Sequence, residues 1–169
     1  MAYFLTLYVW LSDMSTMTKL FWEDIPVPEV REYGHTIITR EEIVRFAKTY
    51  DPQSFHIDEA FAQDHFYGGL IASGWHSTAL CMRMMVDNMF NNVASMGSPG
   101  VERLRWRRPV RPGDELRVRQ ETLCKRRSTS RQDLGLVKIR FQMLNQDDAV
   151  VMEMDSTGLF ALRHPEACS

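Results

Sequence analysis

Apolar and polar positions change their period once along this chain. Up to about residue 91 the apolar residues recur at helical spacing, and from Val101 onward they alternate. In the first part, Leu20 to Glu32 carries Pro26 and Pro28 and reads as an extended lead-in. His35 to Thr39 (HTIIT) is rich in β-branched residues and reads as a short strand. Thr39 precedes Glu42 by three, the capping-box spacing. Ile43, Phe46, Ala47 and Tyr50 follow at i, i+3, i+4 and i+7, which predicts a helix with one apolar face. That helix stops near Tyr50, because Pro52 disfavours helical geometry at Asp51. Asp58 can cap a short helix through Ala60, Phe61 and Ala62, broken by Tyr67-Gly68-Gly69. A longer helix is predicted from Gly74 to Asn91, with Ser73 as its N-cap. Trp75, Ala79, Leu80, Cys81, Met82, Met84, Met85, Val86, Met89 and Phe90 leave Arg83 and Asp87 as its only charged stripe. A helix apolar nearly all round is expected to be buried.

Beyond the loop from Asn91 to Gly100, Leu116 and Val118 alternate with Arg117 and Arg119. Val137, Ile139, Phe141 and Met143 alternate with Lys138, Arg140 and Gln142, and Val150 to Leu162 is again strand-like. Pro112-Gly113-Asp114 and Asn145 to Asp148 read as turns. Alternation of this kind belongs to an antiparallel sheet with one covered and one polar face. The pattern gives one α+β domain over 20–169, a curved antiparallel sheet around a long central helix. Residues 1–19 read as a poorly ordered extension. Within it, Phe4 to Leu11 is apolar but too short to span a bilayer and lacks the basic flank of a secretory signal. Met14 and Met17 are alternative starts.

Composition alters this picture little. The chain has 169 residues, 44% hydrophobic and 25% charged, with net charge −2. That suits one globular domain and supplies no global field for nucleic acid or an anionic membrane. Cys81, Cys124 and Cys168 are odd in number and widely spaced. They indicate neither a disulfide framework nor a metal site, and fit a reducing, cytoplasmic setting. Arginines crowd one segment, from Arg103 to Arg131, where acids are few. Trp106 is its only interleaved aromatic, so nucleic-acid binding is disfavoured.

Asp51 and His56, five apart beyond the first helix, are the candidate acid–base pair. An imidazole titrates near neutrality, and a carboxylate beside it can share proton transfer to and from water. The alternative is structural: Asp51 capping the turn at Pro52, and His56 bonding the backbone. His65 and His76 read as a helix end and a satisfied core histidine.

The line DPQSFHIDEAFAQDHFYGGLIASGWHSTAL resembles the MaoC-like hydratases, which include (R)-specific enoyl-CoA hydratases. Asp51, His56 and Asp58 stand where that family has an Asp, a His five residues later and an acid two beyond, and Gly74 matches the glycine opening the family's central helix. Arg107 to Leu116 (RRPVRPGDEL) is similar to its strand–turn–strand. The resemblance covers roughly Leu20 to Leu162 and implies the hot-dog fold. It also implies Asp51 and His56 as the catalytic pair, activating water against an enoyl thioester, with no metal and no cofactor beyond coenzyme A as part of the substrate. A homodimer or higher homo-oligomer is implied too, without nucleic acid or membrane. Three positions depart from the family: Gln53 replaces its usual Asn, Ser54 its Pro, and Ser73 its His.

Gly74 has a separate physical argument. Free N–H groups at a helix start favour negative charge, and glycine lets a ligand approach closely. The thioester oxygen, as it gains enolate character, is such a charge. Gly74 is therefore the expected oxyanion donor, although it could instead serve tight packing, and the resemblance adds Gln53 and Ser73 to the oxyanion and substrate-binding set. The arginines could meet coenzyme A phosphates or form a solvated outer strand face. Two rivals to hydration stay open: a thioesterase on the same fold, and a non-catalytic acyl-thioester-binding subunit.

Overall fold

The structure is a computed structural model in which residues 19–165 are described. The expected N-terminal extension and Cys168 lie outside the described residues.

Five strands form one antiparallel sheet: β1 (Glu29–Ile37), β2 (Val101–Trp106), β3 (Glu115–Arg127), β4 (Leu134–Leu144) and β5 (Val150–Ala161). Their spatial order is β1-β3-β4-β5-β2. Between β1 and β2 the chain makes α1 (Arg40–Tyr50), α2 (Ser54–Ile57), α3 (Glu59–Asp64) and α4 (Gly74–Asn88). Helix α4 lies against the inner face of the curved sheet, which is the hot-dog arrangement.

Period two decides which strand residues meet the helix. Leu116 and Val118 of β3, and Val137, Ile139, Phe141 and Met143 of β4, are buried in one cluster with Cys81, Met84, Met85 and Met89. Burial pushes the Cys81 thiol up to about 12, so it behaves as a small apolar side chain. On the outer face, the arginines do not form a row of solvated charges. Arg103 Nη2 lies 2.7 Å from Glu153 Oε1 and 3.1 Å from Asp155 Oδ2, and Arg140 Nε is 2.8 Å from Asp155 Oδ1. Arg117 and Arg119 both bind Glu32 across β1 and β3.

Local signals set most element ends. Thr39 caps α1 with a complete capping box, accepting from Glu42 N–H while Glu42 Oε2 accepts from Thr39 N–H at 2.9 Å. Asp58 accepts from Phe61 N–H to start α3. Ser73 caps α4 by accepting from Trp75 N–H.

Four readings of the sequence change. The first strand is not His35–Thr39 but Glu29–Ile37, taking in part of the predicted lead-in. Its register shifts between Tyr33 and Thr36 around Gly34, whose φ is 73°. A Cβ there would sit 2.7 Å from Met84 Sδ, so this glycine lets α4 pack directly on the strand. The residues around His56, expected as loop, make the single helical turn α2. Helix α4 ends at Asn88 rather than Asn91. It is also not covered all round: Trp75, Ala79 and Met82 form an exposed apolar stripe, with Trp75 57% and Met82 46% exposed. The sheet covers one side of the helix and Phe46 of α1 covers it at His76, but the stripe stays exposed among the described residues.

Candidate active site

The end of α1 and the start of α4 converge. Asp51 is the C-cap of α1, placed by the capping box at one end and the Pro52 stop at the other. The turn α2 returns the chain so that His56 is buried, 4% exposed, beside it. His56 Nε2 lies 3.4 Å from Asp51 Oδ2. His56 Nδ1 lies 2.8 Å from the carbonyl oxygen of Ile71. A carbonyl only accepts, so Nδ1 carries a proton and donates it there. That bond fixes the ring and leaves Nε2 facing Asp51.

Asp51 is held by two further donors. Ser73 Oγ donates to Oδ2 at 2.7 Å, and Gln53 Nε2 donates to Oδ1 at 2.7 Å. Burial pushes the Asp51 carboxyl up, but the bonds from Ser73 and Gln53 and the charge of His56 outweigh it, so it stays below the usual aspartate value. The group is therefore an anion at neutral pH. Each oxygen keeps acceptor capacity, since a carboxylate oxygen has more than one lone pair.

These residues open onto a cleft of about 730 Å³ lined by Asp51, His56, Gln53, Gly74 and Ser77, among others. Gly74 N–H, at the first position of α4, has no hydrogen-bond acceptor among the described residues. It is thus a free donor at the positive end of a helix of 15 residues, on the cleft wall. Gly74 also meets the packing alternative. A Cβ there would lie 2.4 Å from Trp106 Cε2, so the indole lies directly over the helix start. Trp106 Nε1–H donates to Thr78 Oγ1 at 3.3 Å, and its ring meets Trp75 edge-to-face at 5.4 Å.

The five residues singled out from the sequence, Asp51, Gln53, His56, Ser73 and Gly74, meet in one place. Ser73 does so from behind: it is fully buried, and its hydroxyl serves Asp51 and the helix cap. His76 differs from the sequence reading. It is buried and stacked on Phe46 at 4.6 Å, but its Nδ1 has no partner, and burial lowers its pKa. Sequence reasoning missed Trp106, Phe55, Tyr67 and the Ile71 carbonyl as parts of the site, and named Arg108 only within the basic segment weighed for coenzyme A phosphates. For Trp106 a signal existed, an aromatic alternating with arginines. The Ile71 carbonyl had none, because any residue supplies one.

A second cavity, of about 390 Å³, lies against the other half of α4 and is lined mainly by apolar groups, including Met82, Met85, Phe90, Phe141 and Met154. Among the described residues no group of three or more His, Cys, Asp or Glu comes together as a metal site. No helix there is long and apolar enough to cross a membrane.

Comparison with known proteins gives a consistent picture. The family model for the MaoC like domain matches residues 26–141. The crystal structure of a MaoC-like dehydratase from Rhodospirillum rubrum is 35% identical, with a TM-score of 0.76, covering 85% of this chain and 98% of its own. The unliganded R-hydratase PhaJ1 of Pseudomonas aeruginosa, 24% identical, shares the fold at a TM-score of 0.67 over 85% of this chain and 86% of its own. The uncharacterized protein YdeM of Bacillus subtilis (strain 168) is 29% identical over 116 residues, 69% of this chain and 81% of YdeM. With its central helix, curved sheet and Asp51–His56 cleft, the chain belongs to the MaoC-like dehydratase family.

Proposed function

We propose that this chain is a hydro-lyase of acyl thioesters. It adds water to a trans-2-enoyl thioester, with enoyl-CoA the first candidate, or removes water from a 3-hydroxyacyl thioester. The observation that carries this reading is the facing of Asp51 Oδ2 and His56 Nε2 at 3.4 Å on a cleft, with His56 Nδ1 committed to Ile71.

The geometry suits one water molecule. Asp51 offers a carboxylate and His56 a lone pair on Nε2, so a water there donates one hydrogen to each. Its own lone pair is then turned outward, toward C3 of a bound enoyl group. As the C3–O bond forms, the C2=C3 π electrons move onto the thioester oxygen as an enolate. Gly74 N–H is the donor suited to that oxygen. His56 takes the water proton at Nε2 and returns it to C2, so the sum is addition of one water. Asp51 remains an anion throughout and stabilises the transient imidazolium. Ser73 and Gln53 keep the carboxylate oriented. Coenzyme A enters only as part of the substrate, and the apolar cavity beside Met82 and Met85 suits an alkyl chain.

We place the working form as a homodimer. The stripe of Trp75, Ala79 and Met82 on α4, next to exposed Val101 and Trp106, is an apolar face that a second copy would cover. The exposed thiol of Cys124 and the buried one of Cys81, both unpaired, fit the reducing cytoplasm.

The test is a single incubation with a trans-2-enoyl-CoA series, following enoyl absorbance and free thiol together. Loss of absorbance without thiol is the expected result. Thiol release would make the chain a thioesterase, with Asp51 directing water at the carbonyl carbon. Neither signal across the series would leave a binding subunit.

A further inference from the structure

We infer that Arg108 is a phosphate-binding residue, placed to take a phosphate of the carrier on which the acyl group rides. This rests on the thioester reading above and adds to it a named subsite and its ligand chemistry.

Of the arginines around the cleft, Arg108 is the one left without a partner among the described residues. Alternation along β2 puts Arg103 and Arg105 on the outer face of the sheet, while Arg107, just past the strand, lines the cleft. Arg103 and Arg107 both reach Glu153 Oε1, at 2.7 Å and 3.3 Å. Burial pushes the Glu153 carboxyl up, but bonds from Gln142 and Arg107 and the charges of Arg103 and Arg107 outweigh it, so it is held ionised and these two cations are neutralised locally. Arg111 donates from Nη2 to the carbonyl oxygen of Tyr67 at 2.5 Å and lies against Gly69, which fixes the 67–69 loop. Leu104 and Trp106 take the opposite parity and face α4, and Arg108, two residues past the end of β2, lines the cleft. Among the described residues Arg108 has no acidic partner, and Asp51 is the only acid on the cleft wall. Arg105 is also without an acidic partner there, but it lies off the cleft.

One uncommitted guanidinium therefore stands on the wall of the cleft that holds the acid–base pair. Its planar fork matches two oxygens of a phosphate, and such charge-assisted bonds are stronger than neutral ones. The same cleft is lined by Tyr67 and by Phe66, which is 90% exposed. Charge and apolar surface on one cleft fit a phosphorylated pantetheine arm, whether that of coenzyme A or of a carrier protein.

The test compares the same enoyl group on four carriers: coenzyme A, phosphopantetheine, pantetheine without phosphate, and a phosphopantetheinylated carrier protein. For Arg108→Ala, the ratio of kcat/KM on a phosphorylated carrier to that on pantetheine should fall about tenfold, mostly through KM. Arg105→Ala should leave that ratio unchanged. A fall on phosphopantetheine and coenzyme A alike places the phosphate next to pantetheine. A fall on coenzyme A alone places it on the nucleotide, and a fall on the carrier protein alone identifies that source. An unchanged ratio on all carriers, with pantetheine thioester still hydrated, would overturn the assignment of Arg108 and leave the hydro-lyase reading intact. No hydration of any thioester by the unmodified protein would instead remove the reading on which it rests.

Discussion

Gly74→Ala adds one methyl group at the most crowded point of the site, and its cost can be worked from the structure. The added Cβ would lie 2.4, 2.5 and 2.8 Å from Cε2, Cδ2 and Cζ2 of Trp106. Contacts this close do not persist, so one side must yield. Helix α4 is pinned by Cys81, Met84 and Met85 in the core, whereas Trp106 is 46% exposed. The indole therefore swings outward. It gives up its bond to Thr78 and its edge-to-face contact with Trp75, roughly 1 kcal/mol each. Alanine returns up to about 1 kcal/mol of helix propensity, less at a first-turn position. The net expectation is a loss of about 1 kcal/mol in urea unfolding. Turnover should fall by more than this suggests, because a displaced Trp106 alters the cleft wall proposed to hold the thioester oxygen, while the backbone N–H at the helix start is retained in the variant. Pairing the change with Trp106→Leu should restore the space and recover part of the stability. If Gly74→Ala alone unfolds at the wild-type urea concentration and turns over at the wild-type rate, the tight packing at the helix start is wrong.

Three other outcomes follow from the same geometry. Ser73→Ala removes a donor to Asp51 together with the α4 cap, so unfolding should cost about 2 kcal/mol less; the acid limb of the kcat/KM profile should move to higher pH, and an unmoved limb would detach Ser73 from Asp51. Asp51, Glu153 and Asp155 all have carboxyls held below their ordinary values, Asp155 chiefly through its bond from Arg140. A depressed folded-state pKa contributes stability above the unfolded-state value and loses it as pH falls through the folded one. The urea midpoint should therefore drop from about pH 5 downward, and Glu153→Gln should shallow that drop; a flat midpoint into the acid range would contradict it. Met82→Glu places a charge in the uncovered stripe of α4 and should shift the protein toward monomer by sedimentation equilibrium, whereas an unchanged mass would place the partner surface elsewhere.

The parts of this fold that local chemistry specifies were legible in the chain. The Thr39–Glu42 box, the Asp58 and Ser73 caps and the alternation of β3 and β4 each need only residues a few positions apart, and each was found where expected. The antiparallel sheet around one helix followed from the change of period. Parts that depend on distant neighbours were hidden. Gly34 breaks β1 at the point where Met84 presses on it, and no residue near Gly34 announces that contact. The four residues of α2 are too few to show a period. An apolar helix face looks the same in sequence whether its own sheet or another chain covers it, which is why α4 read as wholly buried. At the site, Asp51, His56, Ser73 and Gly74 could be picked out because a family pattern and a helix start point to them. Trp106 over Gly74, and Arg103 and Arg107 on Glu153, join residues tens of positions apart, so only the folded chain reveals them.

The central claim is that Asp51 and His56 together activate water. Asp51→Asn tests it most directly, since asparagine keeps the volume and can still accept from Ser73 while removing the charge. On the enoyl-CoA that the unmodified protein hydrates fastest, the initial rate should fall by about a hundredfold or more, with the unfolding midpoint and circular dichroism close to wild type. Hydration by a folded Asp51→Asn variant at a rate comparable to wild type would contradict the account.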